Sequence, residues 1–397
     1  MSEYQYYEFV AVDRPLSEEK LRALRALSTR ARITSTRFVN HYDWGSFGGD
    51  PNALMEDCFD LFVYVANWGT RRFMMRLPRQ LFDAGATGPY FSAGAAGDAC
   101  AAWATDAHVI LRFERGDIYE DGSGEYEFDD GSGWLAALAP LRQELMEGDL
   151  RCLYLAWLLC VQTGLVGKKA SEPPVPPGLT QPSASLRAFA DFMGLDPDLF
   201  SVAAEAGAGE PPADPSRREI EDWINRLSDQ QKTELLVRLV AGGDPHLPLE
   251  LRRRCRLSRS LAGPEATCAA TPRRSAAELL DAAGQRAAER ARLAAELEAA
   301  ERVRQEREAA LAREEALRAL AARGEAPWRD VEAFASSKRR GDYDRAATLL
   351  IDLRAVAERA GTGNDFGRRI DGLRVRHMRK RSFLERLSQA GLIDEGP

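Results

Sequence analysis

The sequence predicts an α+β protein in which an N-terminal mixed α/β sheet domain precedes a mainly helical region. Short aromatic and β-branched runs bounded by turn residues occupy the first 115 residues, which is typical of strands. From residue 133 onward, apolar residues recur at helical spacing, and residues 273–323 consist mostly of Ala, Glu, Arg and Leu. With 397 residues, of which 45% are hydrophobic, the chain has material for two to three domains and is not a disordered chain.

The strands are predicted from composition and from the breakers between them. Residues 4–12 form the first strand, which ends at Asp13-Arg14-Pro15, and Ser17 is the expected N-cap of the helix that follows. Residues 33–44 return to strand composition. Residues 60–67 and 70–77 predict two strands around a tight turn at Trp68-Gly69, and a further strand lies within residues 102–113.

Two helices, at residues 134–147 and 149–166, are expected to cover one face of this sheet. The second is apolar nearly all round, as a buried helix is. Its apolar run of fifteen residues from Cys152 to Val166 is shorter than the roughly 20 residues of a membrane-spanning helix. We therefore predict a core helix and no membrane association.

The remaining boundaries follow from proline, glycine and charge. The predicted organisation is an α+β domain (1–170), a Pro-rich linker or surface strap (171–185), a small helical region (186–260), a second linker (261–272), a long charged helix or coiled-coil arm (273–326) and a basic helical hairpin (327–397). The leucines of the arm hold no unbroken heptad register, so a weak or antiparallel coil is favoured over a parallel zipper.

The net charge of −7 is the difference between an acidic body and a basic tail. Residues 1–250 contain 23 basic and 38 acidic side chains, and residues 251–397 contain 31 basic and 23 acidic ones. This asymmetry indicates an acidic partner for the tail. The alternative is that the tail is basic because it packs against the body.

The sequence lacks the motifs of several common metal-binding, catalytic and phosphate-binding sites. The six cysteines form no C-x-x-C pair, so a reduced thiol set is expected instead of a zinc site. The acidic segment 117–130 does not place calcium ligands at EF-hand positions, and neither G-x-S-x-G nor a phosphate-binding loop occurs. We therefore predict no metal and no cofactor, and an enzyme is the less favoured class. The first ten residues lack a secretory signal, which predicts a cytoplasmic protein.

Two groups of residues in the N-terminal half are candidate sites. His41, Asp43 and Trp44 form a polar and aromatic corner where a strand should end, which either builds a site or packs as a hydrogen-bonded corner. The second group is a basic cluster with one aromatic residue, and it consists of Trp68, Arg71, Arg72 and Arg76. One hypothesis is that these side chains stack on bases and bind phosphates of a nucleic acid. The alternative is that the arginines pair with the acidic segment 117–130. On a strand, Arg72 and Arg76 would share one face and Arg71 would lie on the other.

The densest basic run is in the last predicted helix, residues 366–390. Its candidate binding residues are Arg374, Arg376, His377, Arg379, Lys380 and Arg381. On one helix, Arg374, His377 and Arg381 would line one side. Such a surface binds phosphate or an acidic protein, and the sequence does not choose between them.

A resemblance to a known family covers residues 273–392. The segments WRDVEAFASSKRRGDYDRAATLLIDLRAVAERAG and FGRRIDGLRVRHMRKRSFLERLSQAGL resemble the helical tail of bacterial SWIM zinc finger proteins. The C-x-C…C-x-H motif of that family is absent, so neither its zinc nor its nucleic-acid role is implied. What the resemblance implies is a tail that docks a partner.

These observations predict a non-enzymatic cytosolic interaction or scaffold protein whose basic helical tail docks an acidic protein partner. Two alternatives stay open: a nucleic-acid-associated accessory factor acting with a helicase or nuclease, and an enzyme centred on His41, Asp43 and Arg71. Homo-oligomerisation through the helical arm is a further expectation.

Overall fold

The structure is a computed structural model that describes residues 3–91, 99–116, 129–207, 209, 215–242, 244–260, 273–337 and 339–393. Most of the predicted acidic segment 117–130 and the whole predicted linker 261–272, with Cys268, lie outside these residues. The chain divides into two compact units, Met1–Glu289 and Arg290–Pro397, which we describe separately.

The first unit contains a seven-stranded sheet in which every pairing is antiparallel, in the order β2-β3-β1-β4-β5-β7-β6. The strands are β1 (Gln5–Val10), β2 (Arg32–Ile33), β3 (Arg37–Tyr42), β4 (Leu61–Ala66), β5 (Arg71–Pro78), β6 (Cys100–Ala104) and β7 (His108–Arg115). The predicted hairpin around Trp68-Gly69 is confirmed as β4 and β5. The predicted strand 33–44 is two short strands, β2 and β3, and β6 was missed.

Ten helices of the first unit lie within the described residues. They are α1 (Glu18–Leu27), α2 (Pro51–Asp57), α3 (Trp134–Leu138), α4 (Pro140–Met146), α5 (Arg151–Gln162), α6 (Ala184–Met193), α7 (Pro197–Ala206), α8 (Arg217–Arg226), α9 (Asp229–Ala241) and α10 (Leu247–Ser260), besides a 3-10 helix at Ala84–Thr87. Ser17 caps α1 as predicted, because its hydroxyl accepts a hydrogen bond from the N–H of Lys20.

The alternation of side chains along the strands gives the sheet two apolar faces. Phe9 and Phe62 point to the face that α1 and α2 cover, and Val63 and Phe73 point to the other face. That second face packs against the larger group of helices that begins with α3. All residues of α5 from Arg151 to Val161 are buried, which confirms the predicted core helix.

The Pro-rich segment 171–185 lies on the first unit. Leu179 belongs to the main core, and the carbonyl of Pro174 accepts a hydrogen bond of 3.0 Å from the Tyr90 hydroxyl. Ser171 forms a β-bridge with Ser275, just before the long helix. This segment therefore follows the surface of one unit, as a strap does.

One helix, α11 (Ala276–Ala322), runs from the first unit into the second. Its first turns are buried at Leu279 and Ala283, and residues 288–313 are exposed at every position. It is followed by α12 (Ala326–Ser336), α13 (Arg340–Arg359), α14 (Gly363–Arg376) and α15 (Arg381–Gln389). An N-terminal sheet followed by helices and one long helix confirms the predicted α+β class.

The second unit has its own core, and α12 and α13 form the predicted hairpin over it. Val331, Leu350 and Phe383 are fully buried there. The predicted basic helix 366–390 is in fact two helices, α14 and α15. Phe383 follows Leu373 by ten positions, and on a straight helix their side chains would point about 80° apart. A break between the two helices lets both enter the same core.

Candidate functional site

The densest group of interacting charges lies at one end of the sheet. Arg142 of α4 donates two hydrogen bonds to the carboxylate of Asp13, at 2.8 and 2.6 Å, and His246 Nε2 lies 2.9 Å from Asp13 Oδ2. Arg76 of β5 donates to Asp60 Oδ1 through Nε at 3.1 Å and Nη2 at 2.9 Å. Arg142 Nη2 lies 3.5 Å from the same Asp60 oxygen, so one network joins all five side chains.

The electrostatics of this charge network favour the ionised form of Asp13. Burial alone would raise the pKa of the Asp13 carboxyl, but hydrogen bonds from His246 and Arg142 outweigh burial and hold that pKa well below its ordinary value of 3.8. Asp60 Oδ2 also accepts the backbone N–H groups of Val12 at 2.7 Å and Asp13 at 3.0 Å. The network therefore ties the loop before α10 to the sheet, and protein groups already satisfy its carboxylates.

Arg71, a predicted binding residue, is engaged inside the first unit. Its Nη2 donates to Asp129 Oδ2 at 2.9 Å, and its Nη1 donates to the carbonyl of Phe192 at 3.1 Å. The guanidinium also lies 5.4 Å from the ring centroids of both Trp134 and Phe192. This arginine joins β5 to the last turn of α6, where a cation is favourable.

The other residues of the predicted N-terminal basic cluster are separated from Arg71. As expected from strand alternation, Arg72 and Arg76 share the opposite face. Arg72 forms a bidentate pair with Glu114, at 3.0 and 2.7 Å, and Trp68 packs partly buried against the aromatic core. Because each arginine is paired with a carboxylate, the structure does not form the single basic patch that phosphate binding would need.

The predicted polar corner is exposed at the end of β3. His41 stacks on Tyr4, with ring centroids 6.4 Å apart, and Trp44 is 73% exposed. Arg71 and His41 share one row across the sheet, but three strand spacings separate them, about 14 Å. The structure therefore does not bring His41, Asp43 and Arg71 together. The predicted enzyme site, which requires these three side chains to lie close to one another, is not formed.

Some of the basic residues beyond residue 250 form hydrogen bonds with the acidic body. Arg256 of α10 donates to the carbonyl of Glu147 at 3.0 Å, and Arg253 donates to the carbonyl of Leu81. Just before α11, Arg274 forms two hydrogen bonds with the buried Glu172, at 2.9 and 2.7 Å. These contacts support the interpretation in which basic residues serve to pack the helices on the body.

In the second unit, three of the predicted tail residues contact α12. His377 is 7% exposed, and its Nε2 lies 2.7 Å from Glu332 Oε1, while Arg376 Nη2 donates to Glu332 Oε2 at 2.9 Å. Burial would raise the pKa of Glu332, but these two partners lower it. Lys380 donates to the carbonyl of Ala335 at 2.6 Å. The expected stripe of Arg374, His377 and Arg381 is therefore wrong, because the helix ends between its members.

The exposed part of the tail is a smaller surface that combines basic and apolar side chains. Arg374 and Arg379 are exposed, and within the described residues neither forms an ion pair. Between them, Val375 is 68% exposed and Met378 is 69% exposed. Arg381 pairs with Glu385 of its own helix at 3.2 Å. We call Arg374, Val375, Met378 and Arg379 the tail surface.

Sequence reasoning missed a second exposed region, an apolar groove between α8, α9 and α10 with a volume of 370 Å³. It is lined by Ile220, Trp223, Ile224, Leu227, Lys232, Leu235, Leu236, Leu239, Leu251, Arg252 and Cys255. The run from Leu235 to Val240 was a usable signal, because five of its six residues are apolar, more than one buried stripe of a short helix requires.

Four of the five described cysteines are buried, and Cys58 is partly exposed. None of the five described cysteines forms a disulfide. Cys100 Sγ lies 3.7 Å from Cys160 Sγ, and this hydrogen bond, together with burial, raises the pKa of the Cys100 thiol well above its ordinary value. The described residues contain no group of three His, Cys, Asp or Glu side chains placed to hold a metal ion. None of the described helices is long and apolar enough to cross a membrane.

Comparison of this chain with models of protein families, with curated proteins and with solved structures finds no match. The resemblance of residues 273–392 to the tail of SWIM zinc finger proteins therefore stays a prediction.

Proposed function

We propose that this protein is a non-enzymatic interaction protein of the cytoplasm whose tail surface docks an acidic protein partner. The observation that carries the proposal is that neighbouring basic residues of the second unit differ in whether they contact a carboxylate. Glu332 forms an ion pair with Arg376 and lies within hydrogen-bond distance of His377, whereas Arg374 and Arg379 stay exposed beside two exposed apolar side chains.

The chemistry of the tail surface fits a peptide or helix better than a nucleic-acid backbone. Two guanidinium groups attract carboxylates, and Val375 and Met378 add an apolar contact that a phosphate backbone cannot use. Specific nucleic-acid binding relies on several phosphate contacts, and the arginines of the N-terminal cluster are already paired.

The test is a comparison of proteins captured from native lysate by the wild-type chain and by Arg374→Glu/Arg379→Glu. We expect the double reversal to lose acidic proteins that wild type retains, with the largest loss at low salt. The matched control is Arg217→Glu/Arg302→Glu, which makes the same charge change at two exposed positions outside the tail surface.

Two results would count against this function. If the double reversal and the control capture the same proteins as wild type, the tail surface is not a docking site. If nuclease treatment of the lysate abolishes the difference, the tail binds nucleic acid, and the accessory-factor alternative replaces the proposal.

A further inference from the structure

Helix α9 exposes an apolar face that the described chain does not cover. The helix has no buried residue, and its large exposed apolar side chains are Leu236 (60%), Val237 (60%), Leu239 (61%) and Val240 (85%). A helix of 13 residues is marginal in water without tertiary packing. An exposed apolar surface of this kind marks an interaction site.

The groove beside this face combines an apolar lining with two basic side chains. Its floor is formed by apolar side chains of three helices, including Trp223, Leu235 and Leu251. The two charged residues that line it, Lys232 and Arg252, are both basic. Such a groove fits an amphipathic helix whose apolar ridge is flanked by carboxylates.

A short segment of the chain's own α11 has two leucines with a carboxylate on each side. In the exposed part of α11, Leu293 and Leu297 lie one turn apart and are 48% and 69% exposed. Ala300 continues the same stripe, and at 100° per residue Glu296 and Glu301 fall on its two sides. We call these five residues the arm stripe.

We propose that the arm stripe of a second copy of this chain occupies the groove, and that the exchange is reciprocal, so that two copies form a symmetric dimer. Leu293 and Leu297 enter the apolar floor, while Glu296 and Glu301 approach Lys232 and Arg252. Each copy contributes one groove and one arm, which gives a closed two-fold assembly. This contact is separate from the tail surface, so its failure would leave the proposed docking function standing.

The experiment measures the dimer dissociation constant of the full chain by sedimentation equilibrium. We expect wild type to dimerise, and we expect both Lys232→Glu/Arg252→Glu and Glu296→Lys/Glu301→Lys to weaken the dimer by at least about tenfold. The control is Glu298→Lys/Glu306→Lys, which makes the same charge change on the opposite side of the arm and should leave the constant unchanged. Circular dichroism checks that each variant keeps its helices.

Mixing the two reversed variants gives the sharpest readout. In a heterodimer, one contact pairs a reversed groove with a reversed arm, and the other pairs a native groove with a native arm. The mixture should therefore dimerise close to the wild-type level, although each variant alone does not. Replacement of Leu293 and Leu297 by alanine should weaken the dimer without loss of helix, because alanine is a better helix former.

Three outcomes would overturn the proposal. A wild-type chain that stays monomeric up to about 100 µM would leave the groove to a helix of another protein. A dimer that neither reversal weakens would lie on a different surface. A mixture of the two variants that fails to dimerise would show that groove and arm do not contact each other.

Discussion

Asp13 shows at the scale of one residue how a carboxyl group is held ionised although it is mostly buried. Its burial penalty is opposed by a bidentate contact with Arg142 and by the imidazole of His246. Arg142 is itself only 4% exposed and would lose its main partner if Asp13 were neutralised. A buried cation without its partner is costly, so the pair matters more than a surface ion pair would.

We expect Asp13→Asn to lower the free energy of unfolding at neutral pH by about 3 kcal/mol. The folded-state pKa of Asp13 is lowered, so its stabilisation is complete above its ordinary pKa of 3.8 and disappears as the pH falls further. The difference between wild type and variant should therefore shrink below about pH 4, as measured by urea unfolding at several pH values. Asp222→Asn, a similar change at an exposed position, is the control. A difference that does not depend on pH would contradict this assignment.

At the scale of elements, α5 and the exposed part of α11 have opposite environments although both contain leucines. Leu158 on α5 is completely buried, whereas Leu311 on α11 is 58% exposed. The sequence signals this difference through the charged residues, which are frequent along α11 and rare in α5.

Replacement of Leu158 by alanine should destabilise the first unit by about 2–5 kcal/mol, because it leaves a cavity in a packed core. The same replacement at Leu311 should change stability by less than about 0.5 kcal/mol, since no packing is lost there. Denaturant unfolding of both variants measures the difference. Equal effects at the two positions would show that the arm is packed in solution.

At the scale of the molecule, the second unit has a core of its own. Leu350, Leu373 and Phe383 pack together from three different helices. The last turns of α11 belong to the same unit, and Leu317 is buried. A unit with a separate apolar core is expected to fold without the rest of the chain.

The fragment 314–397 should therefore be helical and should unfold cooperatively when it is expressed alone. Leu350→Ala should lower the stability of this fragment by about 2–5 kcal/mol. In the full chain, the same substitution should leave the unfolding transition of the sheet-containing unit unchanged. Circular dichroism against temperature, on fragment and full chain, measures both effects. A fragment without a cooperative transition would mean that the second unit depends on the first.

Local patterns predicted most of the elements but little of the candidate sites. The hairpin of β4 and β5 and the buried helix α5 followed from short runs of residues, whereas the pair of Asp13 and Arg142 joins positions 129 residues apart. The break between α14 and α15 was not predictable from basic residues, because it is set by the core that Phe383 must enter. Arg374 and Arg376 are the same residue type two positions apart, and only the tertiary structure shows that Arg376 pairs with Glu332.

The fold class, the core helix and the long charged helix could be predicted from the amino-acid sequence, because apolar periodicity and helix propensity are properties of neighbouring residues. Which basic residues find a partner inside the protein, and which apolar faces stay open, could be seen in the folded structure alone. Those outcomes depend on partners far apart in the chain, such as Glu332 for His377, and on whether a helix such as α9 finds a surface to cover it. The candidate interaction sites of this protein are therefore its tail surface and the groove.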